Sequence, residues 1–121
     1  MHHDTSIYKA VEELGDLAVL VARRMPRDLK PILGTRLVDE TGYMAIVVRD
    51  AAVAKGRAKV PLYEQLIGGV ELTQFYLKRA FRNKGIGPKL YCRCLPVTVS
   101  VARQANGLRN EFLKPKYASA P

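Results

Sequence analysis

The chain has 121 residues, of which 48 % are hydrophobic types, enough for one domain with one core and too many for a disordered tail. Trp is absent and aromatic residues are only 7 %, so the core must be aliphatic, which suits helix packing. The formal net charge is +9, and no apolar run approaches the roughly 20 residues of a membrane span.

The first helix is predicted over about residues 6–25. Thr5 or Ser6 supplies an N-cap, and Glu12, Glu13 and Asp16 lie in the first half, where the helix dipole favours acids. Ile7, Val11, Leu14, Ala18, Val21 and Met25 recur in alternating steps of four and three, the spacing of a bundle seam. Arg23 and Arg24 close the helix. Met25-Pro26 ends it, because a residue before proline avoids helical dihedrals.

A turn through Pro26 to Pro31 leads to a second helix over about 31–55, with Pro31 in its first turn. Its seam is Leu33, Leu37, Thr41, Met44, Val48 and Ala51, and Gly56 is the expected C′ residue. Gly34 and Gly42 inside it cost roughly 1 kcal/mol each against alanine, so close helix contact is predicted at both. Pro61 opens a third helix over about 61–83. Its seam is Leu62, Leu66, Gly69, Thr73, Leu77 and Ala80, and it ends at Asn83-Lys84-Gly85.

Gly87-Pro88 opens a fourth helix over about 88–112, with Leu90 or Tyr91 leading into Cys94, Thr98, Val101, Ala105, Leu108 and Phe112. Pro96 inside it costs about 3 kcal/mol and predicts a kink near residues 92–96. Val97 to Val101 also alternates like a strand, but a lone strand would have no partner, so helix is assigned. The tail from Lys114 to Pro121 is expected to be loose. Four helices with short connectors predict an all-α, up-down-up-down four-helix bundle occupying residues 1–121 as a single domain.

Catalytic signatures are missing from the sequence: it has no P-loop, nucleophile elbow, HExxH or Gly-rich dinucleotide turn. His2 and His3 are the only histidines and lie in a terminus expected to be mobile. Cys92 and Cys94 point about 200° apart on a helix, so they do not easily bridge, and with no second Cys or His cluster they do not make a zinc site. Glu64 and Glu71 can share a face of the third helix, but a di-metal bundle needs Glu-x-x-His pairs. Glu71 is instead expected to pair with an arginine of another helix or subunit. The expectation is a non-enzymatic protein without cofactor or metal. The start Met1-His2-His3-Asp4 lacks the order of a secretory signal, so a cytoplasmic location is expected.

The bases are the informative residues. Residues 1–77 balance ten bases against ten acids, whereas residues 78–116 hold ten bases and one acid, Glu111. Lys78, Arg79, Arg82, Lys84, Lys89 and Arg93 gather at one end of an antiparallel hairpin. A helix C-terminus attracts cations, which accounts for Lys78, Arg79 and Arg82 but not for the absence of acids from residue 72 to 110. A nucleic acid, RNA or DNA, is the expected partner. Arg49, Lys55, Arg57 and Lys59 form a second group at the opposite end, so a polyanion running along the bundle is expected. Tyr76, Tyr91 and Tyr117 are the candidate stacking aromatics, and backbone contact is expected to outweigh base reading. Tyr43, Ile46, Val47, Phe75 and Tyr76 fall off the seams, and an apolar outer face of that kind predicts self-association.

Several segments carry a family resemblance: the turn Arg24-Met25-Pro26-Arg27, the helix end Ala51-Ala52-Val53-Ala54-Lys55-Gly56-Arg57, the run Leu66-Ile67-Gly68-Gly69-Val70-Glu71-Leu72, and Gln104-Ala105-Asn106-Gly107-Leu108-Arg109-Asn110. Over about residues 7–112 the chain resembles the accessory variability determinant proteins of diversity-generating retroelements. More distantly it resembles the four-helix proteins encoded in bacterial ribosomal intervening sequences. The resemblance implies a small basic bundle in a barrel of five subunits. It also implies association with the retroelement reverse transcriptase and its template RNA, in support of mutagenic copying into cDNA, without polymerase activity of its own.

Overall fold

A computed structural model describes the backbone of residues 2–118 and the side chains of residues 6–118. Four helices carry the fold: α1 (His2–Arg24), α2 (Thr35–Val53), α3 (Val60–Arg82) and α4 (Pro88–Phe112). α1 packs on α2 and α4, and α3 packs on α2 and α4, while the diagonal pairs make no comparable contact. This is the up-down-up-down four-helix bundle expected from the seams.

The seams face inward nearly to a residue. Ile7, Val11, Leu14, Ala18, Val21 and Met25 are all buried, as are the α2 and α3 seams apart from half-buried Leu33 and Leu62. Two layers result. Ile7, Leu14, Met44, Leu66 and Val101 belong to one; Val21, Leu37, Leu77, Leu90 and Cys94 belong to the other, nearer the 83–87 connector. Each large aliphatic side chain so buried contributes roughly 1.5–3 kcal/mol. The threonines tolerate the seam because they bond their own helix: Thr41 Oγ1 donates to Leu37 O at 2.9 Å and Thr73 Oγ1 to Gly69 O at 2.8 Å. Flanking positions add Ala10, Leu17, Val47, Tyr63, Val70 and Ile86 to the core, so the apolar stripe is wider than one strict seam. Val47 therefore leaves the outer apolar face and Tyr76 is half-buried, whereas Tyr43, Ile46 and Phe75 remain exposed.

Several local expectations need correction. α1 begins at His2, so neither Thr5 nor Ser6 caps it; Ser6 is an exposed residue within the helix, and the Thr5 side chain lies outside the described residues. α2 is preceded by a π-helical turn, Lys30–Gly34, which absorbs Pro31: Thr35 N donates to Lys30 O, a span of five residues. α2 stops at Val53, short of Lys55, and Gly56 (φ 57°) instead opens a 3-10 turn, Gly56–Lys59. Gly34 does sit against α1, where an added Cβ would stand 3.2 Å from Ala22 Cβ, but Gly42 faces open space. The tight glycine is Gly69, whose Cβ would stand 2.8 Å from Met44 Cγ and 3.0 Å from Glu40 Oε2.

α4 runs unbroken through Pro96, so residues 97–101 are helical. Pro96 lies on the exposed side, where water can satisfy the carbonyl it leaves free. Cys92 is exposed and Cys94 buried, the opposed placement the spacing requires; burial pushes the Cys94 thiol up, against a smaller opposite effect of Arg93. The start of the tail is anchored. Pro115–Tyr117 forms a 3-10 turn, and the Tyr117 ring lies 4.7 Å from that of Phe112. Residues 119–121 of the expected loose tail lie outside the described residues.

Candidate nucleic-acid interface

The end of α3 positions the first bases. Gly85 N donates to Ala80 O at 2.7 Å and Lys84 N to Phe81 O at 3.1 Å, the pair of bonds that defines a Schellman helix stop. The left-handed residue of that motif is Lys84 (φ 60°), where glycine is the usual occupant. Gly85 serves instead for close approach: an added Cβ would meet Leu29 Cδ1 at 3.0 Å and Ala80 O at 3.1 Å. The connector between α1 and α2 therefore closes onto the connector between α3 and α4. Buried Ile86 holds the latter to the core.

All six bases of the predicted cluster are exposed. Arg82, Lys84 and Lys89 line an open groove of about 770 Å³ with Phe81 and Ile86, and α1 contributes Arg24 to it. Arg24 belongs to the part of the sequence that is charge-balanced, so the chain's linear charge map hides it. A second hollow of about 190 Å³ is lined by Phe75, Lys78, Arg79 and Arg82, so Arg82 joins the two. Arg93 stands one turn beyond Lys89 on α4, outside both linings. Both ion pairs among the described residues involve Glu111, to Lys114 at 2.8 Å and Lys116 at 3.5 Å, and Glu111 is at the other end of the bundle. The basic end therefore has no carboxylate pairing among the described residues. The exposed Glu71 has no such partner either, so its expected arginine is not found within the protomer.

Helix electrostatics separate two groups within the cluster. Arg79 and Arg82 lie in the last turn of α3, where the dipole favours cations. Lys89 lies in the first turn of α4, which holds no acid. There the partial positive charge of the helix N-terminus, whose first residue Pro88 has no N–H to offer, disfavours a cation and favours an anion. Lys89 thus adds positive charge where the free protein is already positive.

The opposite end is built differently. Arg57 Nη2 donates to Leu113 O at 2.7 Å, tying the 56–59 turn to the end of α4. Lys59 is buried, and its Nζ donates to Ala51 O at 2.5 Å beneath the Phe112 ring, 5.5 Å from the centroid. Its ammonium caps the last turn of α2, so Lys59 is withdrawn from the candidate interface. Arg49 and Lys55 are exposed. Glu111 lines the same hollow as Lys55, and its carboxyl is held below its ordinary value, chiefly by the hydrogen bond from Lys114. Of the four bases expected here, Lys59 is buried, Arg57 is exposed but bonded to Leu113 O, and Arg49 and Lys55 stay exposed.

Aromatic rings at the basic end were underestimated from the sequence. Tyr117 packs at the other end, on Phe112. Tyr91 stacks on Phe81, with centroids 4.6 Å apart and ring planes 5° from parallel. Arg79 Cζ lies 4.8 Å from the Phe75 centroid, and Tyr76 meets Phe75 edge-on at 5.7 Å. The signal was present in the run from Phe75 to Arg82, where three aromatics interleave with Lys78, Arg79 and Arg82.

Among the described residues no group of three His, Cys, Asp or Glu side chains is placed to hold a metal; His2 and His3 lie outside the described side chains. No helix among them is long and apolar enough to cross a membrane. The chain matches no known family profile, no curated protein and no solved structure.

Proposed function

We propose that the protein is a non-enzymatic nucleic-acid-binding bundle that grips phosphate backbone with the end formed by α3, α4 and the connector between α1 and α2. The observation that carries this is the uncompensated charge there: Lys89 and Arg93 extend the basic patch across the positive end of α4, where an anion is needed. Each phosphate neutralised releases counterions, so log affinity falls with log salt by roughly 0.7–0.9 per contact. The triple substitution R79A/R82A/R93A is expected to weaken binding to unrelated RNA and DNA sequences alike and to flatten that slope. Lys9→Ala, on exposed α1 surface, is the control; Lys30 is unsuitable because it sits in the connector at the basic end. Equal and negligible losses in the triple variant and the control would return these bases to ordinary solvated surface.

The resemblance to accessory variability determinant proteins supplies the setting of this proposal: a reverse-transcriptase partner that supports mutagenic cDNA synthesis on a template RNA. Omitting the protein from a reconstituted reaction with the cognate enzyme and template should then abolish or shorten the cDNA. A second reading is a protein-interaction module. It is favoured by the exposed Tyr43, Ile46, Leu72 and Phe75 on α2 and α3. Apolar exposure of that kind fits a homo-oligomer, of five subunits by the resemblance, and light scattering at micromolar concentration checks it.

A further inference from the structure

The basic end carries ring faces as well as charge, and this bears on which nucleic acid it takes. Phe81 is 37 % exposed and Phe75 48 % exposed, although both are large apolar side chains on a helix that buries others completely. One face of Phe81 is covered by the parallel Tyr91 ring, and Phe81 also lines the groove between Arg24, Arg82, Lys84 and Lys89. An aromatic side chain thus lines the same groove as four cations. Phe75 repeats the motif six residues earlier, with the Arg79 guanidinium on its face and Arg82 connecting the two hollows.

Duplex nucleic acid offers such rings no base faces, because its bases are stacked on one another and expose only their edges in the grooves, with sugar and phosphate outside. Unpaired bases present π-faces that stack on aromatic rings whatever the sequence, while the backbone follows the neighbouring charges. Resting on the proposed nucleic-acid role, we infer that this end selects single-stranded over double-stranded nucleic acid. In that arrangement one unpaired base stacks against Phe81 in the groove and a neighbour approaches Phe75, displacing Arg79 toward phosphate. The groove of about 770 Å³ has room for a nucleobase, and its rim bases supply the charge a strand requires.

The test measures affinity of the full chain for a single-stranded oligonucleotide and for a duplex of the same length, at several salt concentrations. Loss of one stacking face is worth about 5- to 150-fold in affinity. Phe81→Ala is expected to weaken single-strand binding by about tenfold, to leave duplex binding within about twofold, and to keep the salt slope unchanged. Phe81→Leu, which keeps apolar bulk against Tyr91 but lacks the ring, should give the same discrimination, and this separates stacking from packing. A 2-aminopurine base in the strand should be quenched more on binding wild type than on binding the leucine variant, in which Tyr91 stays covered but the Phe81 ring is gone. Equal wild-type affinity for strand and duplex, or an equal loss on both in the leucine variant, overturns this inference and leaves phosphate binding standing. Failure of wild type to bind either one overturns the nucleic-acid role itself.

Discussion

Lys84 places a side chain of the proposed interface in a backbone conformation that lysine disfavours, and its replacement should move stability and affinity in opposite directions. The residue holds φ 60° at the left-handed position of the α3 stop. An L side chain there costs about 1–2 kcal/mol, partly offset in the comparison by the roughly 0.5–1 kcal/mol of extra chain entropy that glycine loses on folding. Lys84→Gly should therefore stabilise the protein by about 0.5–1 kcal/mol, because the two hydrogen bonds of the stop are backbone bonds and survive. With an unfolding entropy of about 2.1 cal/mol/K per residue, that gain corresponds to a Tm rise of roughly 2–4 °C. The same change removes one cation from the groove lining, so the log–log salt slope for nucleic-acid binding should fall by roughly 0.7–0.9 and affinity with it. Lys84→Ala separates the two effects, since it loses the same charge but keeps the strain: its slope should match the glycine variant while its Tm stays below that variant's. Thermal unfolding followed by circular dichroism, with salt titrations of fluorescence-anisotropy binding, reads both. A glycine variant no more stable than wild type would refute the strain argument; an unchanged slope in both variants would remove Lys84 from the interface.

Two other perturbations test the packing. Gly42→Ala faces open space and should gain about 0.5–1 kcal/mol in helix propensity, whereas Gly69→Ala drives a methyl to 2.8 Å from Met44 Cγ and should cost about 1–3 kcal/mol; a denaturant midpoint that rises for both would contradict the α2–α3 contact. Glu40 is half-buried on the same contact, and burial pushes its carboxyl up from its ordinary value. An acid whose folded pKa is raised binds its proton more tightly when folded, so stability declines as pH rises from the ordinary value through the raised one. Glu40→Gln should accordingly exceed wild type in Tm at neutral pH and lose that advantage as pH falls below the ordinary carboxylate range; an advantage that does not shrink on acidification would assign the effect to something other than desolvation.

The core was legible because bundle periodicity is a long-range pattern with many repeats. In α1 the residues at steps of four and three are all buried, with Ala10 and Leu17 beside them, and one misplaced residue would not have broken the pattern. End geometry was less legible because single contacts decide it. Nothing in Ala51 to Lys59 announces that the Lys59 ammonium turns inward to the Ala51 carbonyl, since that bond spans eight residues and depends on the Phe112 ring arriving from α4. Gly42 and Gly69 carry the same letter, yet only Gly69 faces a neighbouring helix, and the difference is a matter of rotation about each axis. At the interface the six bases of the α3–α4 hairpin could be read directly because the hairpin joins them locally. Arg24 is far from them in sequence and reaches the groove only through the packing of α1 in the bundle.

The two ends of the bundle use similar residues for opposite purposes. At the α2–α3 connector the cations point at carbonyls: Arg57 reaches Leu113 O and Lys59 reaches Ala51 O, so helix C-termini consume their charge. Lys114 and Lys116 are held by Glu111 in the same region. At the α3–α4 connector the carbonyls of α3 are satisfied by backbone N–H groups of Lys84 and Gly85 and by the amide of Asn83, whose Nδ2 donates to Arg79 O at 2.8 Å. The side chains of Lys78, Arg82, Lys84 and Lys89 are thereby released from capping. A backbone-closed stop that leaves its bases free, beside a helix N-terminus that repels them, concentrates positive potential that the folded chain itself does not neutralise. Like-charge repulsion at such an end is unfavourable in the free protein and is relieved by a bound polyanion. That difference between the ends, more than the net charge of +9, favours placing the proposed nucleic-acid site at one end and not over the whole surface.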